Sequence, residues 1–77
     1  MKNAISIQMT LTPKQAEALL VRLRERLSRT VQERMFDDEF RLVPKESRGE
    51  AVVKASPALT AENKTIVALR VAVAKQA

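Results

Sequence analysis

Asp37, Asp38 and Glu39 stand side by side as the one acidic cluster of the chain, and adjacent carboxylates supply the oxygen ligands that a hard cation such as Mg²⁺ takes. Consecutive strand residues, however, point to opposite faces, and the Asp, Asn and Gly spacing of a calcium loop is missing around them. Solvated turn charges are the simpler reading, and no metal site is expected. Lys45 and Ser47 form the nearest approach to a Ser–Lys nucleophile pair, but closeness in sequence is weak evidence of convergence in space. Histidine, cysteine, tyrosine and tryptophan are all absent, which removes the commonest general base, the thiolate nucleophile and the usual zinc ligands. With a single glycine, Gly49, no glycine-rich loop can cradle a phosphate. The expectation is a non-enzymatic protein with no catalytic residue and no cofactor.

Charge is the second chemical signal. A net +5 on 77 residues, with an isoelectric point near 10.3, suits an acidic partner such as nucleic acid. The densest basic run is Arg22, Arg24, Arg26 and Arg29. On a helical wheel Arg24 flanks the apolar edge while Arg22 and Arg29 face solvent, so the run covers a broad arc. No aromatic residues interleave with it for base stacking, because Phe36 and Phe40 are the only aromatics and both have core alternatives. A solvated helix face therefore competes with a phosphate-binding surface as the explanation of these arginines.

The elements that must position these groups begin with an alternating segment. Ile5, Ile7, Met9 and Leu11 fall on one side, and Ser6, Gln8, Thr10 and Thr12 on the other, the period of a half-buried β-strand. Thr12-Pro13-Lys14-Gln15 then reads as a helix start. Thr12 is the N-cap, Pro13 the first helical residue, and Gln15 completes a capping box. Ala16, Leu19, Leu20, Leu23, Leu27 and Val31 share one third of the wheel, a core-facing stripe expected to pack on the inner face of the strand. Because Arg34 lands inside that stripe, the helix is expected to end or turn between residues 28 and 33. Glu25 and Arg29 add an i,i+4 pair on the outer face.

Past the helix, Phe36, Asp38, Phe40 and Leu42 fit one strand face, although Phe36 and Phe40 would also neighbour each other on a helix. Pro44 and the Lys-Glu-Ser-Arg-Gly run favour a strand over 39–43 followed by a turn, with Gly49 at a positive-φ position and a partner strand over 50–55. Ser56-Pro57 ends that strand, and 59–64 is a loop or single helical turn. A last strand over 65–75 carries Val67, Leu69, Val71 and Val73 on one face and Ile66, Ala68, Ala72 and Ala74 on the other. A strand apolar on both faces is central or meets a partner.

Assembled, the order is β-α-β-β-β: an α+β fold, one domain over residues 1–77, with a single amphipathic helix on one face of a small, mainly antiparallel sheet. One helix cannot cover both faces, so Ala68, Ala72 and Ala74 form a candidate partner surface, or else simply an apolar solvent face. A chain this short buries only about 60% of its unfolded surface, and self-association is a natural way to raise its stability. Lys2 followed by an alternating pattern does not resemble a signal peptide, and the apolar run 66–74 is too short to span a bilayer and carries Arg70. A soluble, cytoplasmic protein is expected.

The opening from Ala4 to Pro13, followed by a leucine-striped helix, resembles the start of ribbon-helix-helix repressors. In that family paired N-terminal strands of two subunits enter the major groove. The resemblance implies base reading by Ser6, Gln8 and Thr10, and a second helix beginning near Ser28-Arg29-Thr30-Val31. It covers under half of the chain. The glycine-containing turn that the family places before its second helix is missing, and the β-structure expected after Pro44 is foreign to it, so the chain is not assigned there.

Two functions of different class follow. The first is a small binding module acting through protein–protein contacts, as a regulator, inhibitor or assembly factor, and working as a homodimer. Compact chains of this type are common among phage and mobile-element accessory proteins, an argument by analogy alone. The second is DNA binding, with the N-terminal strand as a ribbon in the major groove and Ser6, Gln8, Thr10, Arg22, Arg26 and Arg29 as its contacts.

Overall fold

A computed structural model describes residues 3–76, so residues 1, 2 and 77 of the expected domain, including Lys2, lie outside the described residues. The α+β expectation is overturned: the described residues hold three α-helices and two short 3-10 turns, and no strand. The order is α1 (Pro13–Arg34), a 3-10 turn at Asp38–Phe40, a second at Lys45–Ser47, α2 (Arg48–Ala55) and α3 (Pro57–Gln76).

The start of α1 forms as its sequence dictates. The Thr12 hydroxyl accepts from the Gln15 amide at 3.1 Å, and the Gln15 side chain accepts from the Thr12 amide at 2.9 Å. Two of the donors that a helix start leaves unpaired are thereby satisfied. The helix runs 22 residues, about 33 Å. It does not stop between 28 and 33. Arg34 stays in the apolar stripe because its side chain is long enough to leave it: the guanidinium reaches Asp37 and Glu39, each at 3.6 Å.

Strand-like expectations fail from there on. The expected strand 39–43 is a 3-10 turn and bend, in which Phe40 turns inward. Gly49 has no positive φ and joins no hairpin; it sits in the first turn of α2, which replaces the expected strand 50–55. Ser56-Pro57 starts an element rather than ending one. The Ser56 hydroxyl accepts from the Leu59 amide at 3.3 Å, and α3 runs on for 20 residues through both the expected loop 59–64 and the expected strand 65–75. Five alanines, at 58, 61, 68, 72 and 74, favour helix throughout α3. Its inward residues Leu59, Glu62, Ile66, Leu69 and Val73 recur in steps of three and four, the spacing of a helix seam.

The leucine stripe of α1 packs on α3, not on a strand. Arg26 of α1 meets Glu62 of α3 at 3.5 Å, whereas Glu17, nearer the start of α1, lines one depression with Gln76 at the end of α3, so the two helices run antiparallel. α2 and the loop before it close one end of this hairpin. There Phe40, Val52 and Leu59 form the core cluster, with Leu27, Val31 and Met35 against it. Arg48 fastens the loop, its Nε donating to the Val43 carbonyl at 3.0 Å and an Nη to the Arg41 carbonyl at 3.2 Å.

The result is one layer of helices. It measures 42 × 31 × 15 Å, and its radius of gyration of 14.7 Å exceeds the about 11–12 Å expected of a compact chain of this length. Val52 alone among the described residues has its side chain wholly removed from water.

Candidate interaction surface

Residues 4–12 carry no regular secondary structure, so the half-buried strand that their alternation predicts does not form among the described residues. Ile5, Ile7 and Met9 are largely exposed. Only Leu11 is half-buried, at the open end of the α1–α3 hairpin, where Met9, Leu11, Ala16, Leu69, Ala72 and Val73 line a depression. Ser6, Gln8 and Thr10 are exposed on the same segment.

Arg22, Arg26 and Arg29 are exposed on α1, within 60° of one another at 100° per residue. Arg26 is engaged by Glu62, while Arg22 lies about 14 Å along the helix from Pro13. The polar residues of the arm and the arginines of α1 therefore occupy separate stretches of the molecule. Of the candidate partner residues, Ala68 and Ala72 are exposed neighbours one turn apart on α3, but Ala74 faces another side, into a groove along the hairpin seam. The strand geometry that grouped all three on one face does not exist.

Sequence reasoning missed that groove. Its floor and walls are Leu20 of α1 with Val67, Val71 and Ala74 of α3, flanked by Arg24 and Arg70. Towards α2 it continues past Leu27, Val31 and Met35 to Gly49, Val53 and Ile66. Val21, Val67 and Val71 remain at least half exposed beside it. The missed signal is the spacing of Val67, Val71 and Ala74, which at i, i+4 and i+7 marks a second apolar stripe on a helix as clearly as alternation marks a strand.

The acidic cluster is held by a side chain of the protein itself. Arg34 bridges Asp37 and Glu39, and among the described residues no group of three potential metal ligands converges. Lys45 and Ser47 share one 3-10 turn. Among the described residues, no helix is long and apolar enough to cross a membrane. No protein family, no curated protein and no solved structure matches this chain.

Proposed function

We propose that the chain is a small, non-enzymatic binding module that acts through protein–protein contacts as a self-associating regulator, inhibitor or assembly factor. One observation carries this reading: the chain exposes 6638 Å², whereas a compact monomer of 8.6 kDa exposes about 4,700 Å². The excess, about 1,900 Å², is larger than the about 800 Å² that one partner contributes to a standard interface. A helix stripe must be buried against another layer, and among the described residues neither a sheet nor a fourth helix supplies it. Light scattering across a concentration series tests it. A species of twice 8.6 kDa is expected, and a monomer at all concentrations that also captures no protein partner overturns it.

A second reading is DNA binding through the arm, supported by the exposed Ser6, Gln8 and Thr10 on a segment outside the helices. The helices α2 and α3 replace the β-structure expected after Pro44, although α1 runs unbroken through residues 28–31, where the resemblance places a second helix start. Affinity for duplex DNA should then fall steeply with salt, and Gln8→Ala should relax base preference without loss of stability. Absent or salt-insensitive binding overturns it.

A further inference from the structure

We infer that the groove between α1 and α3 is covered by a second copy of this chain, stacked face to face about a two-fold axis that passes between Leu20 and Val21 of α1. The inference rests on the proposed self-association and names the surface that performs it.

The charge pattern of α1 is self-complementary about that point. Glu17 and Arg24 are exposed, share one helix face, and flank Leu20 and Val21 symmetrically, about 10 Å apart along the axis. Among the described residues neither takes part in an ion pair. In an isologous contact residue i meets j while j meets i. Antiparallel stacking of α1 on its copy therefore sets each Glu17 beside the other copy's Arg24, twice, with the apolar pair Leu20 and Val21 between. A parallel arrangement, or a shift by one helical turn, loses both pairings.

The other helix obeys the same symmetry. Leu20 borders Val67, Arg70, Val71 and Ala74, which centre between Arg70 and Val71, so an axis crossing α1 between Leu20 and Val21 crosses α3 there. Val67 and Ala74 lie equally far on either side of that point, and Val67 and Val71 are half exposed. The two-fold then sets Val67 of one copy beside Ala74 of the other, and Val71 beside the methylenes of the other copy's Arg70. Thus the two-fold that pairs opposite charges on α1 also buries the exposed valines of α3. Arg70 can run its methylenes along the groove and keep its head at the rim.

The dimensions agree. When a copy stacks on a layer 15 Å deep at the usual 8–10 Å between helix axes, α1 and α3 of both copies form a four-helix core, with α2 of each at its ends.

Charge reversal tests the pairing, with the dimer dissociation constant read by sedimentation equilibrium. Glu17→Arg alone and Arg24→Glu alone each place like charges together twice and should weaken the dimer by about tenfold or more. The double variant E17R/R24E should return it to within about threefold of the starting value. Both residues are exposed, so helical circular dichroism should be unchanged in all three. Val71→Asp should leave a monomer. Single reversals without effect, or a double variant that does not recover, overturn the inference. If the unaltered chain dimerises but Ile7→Asp breaks the dimer while Glu17→Arg does not, this surface is wrong and the self-association stands. If the unaltered chain is a monomer, both fall.

Discussion

The Thr60 hydroxyl donates to the carbonyl of Val53 at 2.8 Å, so the first turn of α3 closes the last turn of α2. The same carbonyl also accepts from the Ser56 amide at 3.3 Å. A helix end leaves its last carbonyls unpaired, and this one is satisfied across a connection of one residue. Thr60→Val keeps the shape and removes the donor. Because Ser56 still reaches the carbonyl, the loss should be only about 0.5–1.5 kcal/mol by urea denaturation, and Thr60→Ser should recover most of it.

The two phenylalanines, four residues apart, should behave oppositely. Phe40 is 4% exposed and packs with Val52 and Leu59, whereas Phe36 is 81% exposed. Phe40→Ala should cost about 3 kcal/mol or more, a large part of the stability of a domain this small. Phe36→Ala should change it by less than about 0.5 kcal/mol. Equal effects would mean that the cluster closing the hairpin is assembled differently.

Gly49 can be improved. It lies in α2 with ordinary helical backbone, and a Cβ there would meet Val31 Cγ1 at 3.7 Å, a normal van der Waals contact. Gly49→Ala removes unfolded-chain freedom and fills the space beside Val31. The expected gain is about 0.5–1 kcal/mol, or roughly 4 °C in Tm by calorimetry. Loss of stability would show that the first turn of α2 is not helical.

Glu62 occupies an inward position of α3 at some cost. One carboxylate oxygen meets the largely exposed Arg26 at 3.5 Å, and the other is buried without a hydrogen-bond partner. Glu62→Leu should leave stability unchanged or raise it by about 1–2 kcal/mol in a thermal melt, since Arg26 is free to return to water. A marked loss would show that the ion pair fixes how α1 and α3 align.

Thr12-Pro13 and Ser56-Pro57 are the same helix-start signal, yet only the first is legible as one. After Pro13 the leucines recur in helical steps and match no other period. Between residues 66 and 74 only Arg70 is not apolar, so inward Ile66, Leu69 and Val73 and groove-lining Val67, Val71 and Ala74 together also satisfy a two-residue alternation. A helix apolar on two sides hides its period. What decides the matter is the alanine content of α3 and the cap at Ser56, local preferences that outweigh the β-branching of its valines.

Gly49 misleads for a related reason: an only glycine suggests a special backbone angle, whereas this one occupies an ordinary helical site. The α1 cap was fully legible because Thr12 and Gln15 satisfy each other locally, whereas the arm's alternation misled, since no sheet is there to bury Ile5, Ile7 and Met9. The groove was not legible, because it exists only once α3 is a helix lying beside α1.

With little more than Val52 and a few neighbours shielded from water, the chain on its own has a small reserve against the entropy of ordering itself. A second molecule that covers the hairpin seam then contributes to folding as well as to binding. On the proposed self-association, the melting temperature then depends on concentration, falling on dilution and rising with the amount of chain present.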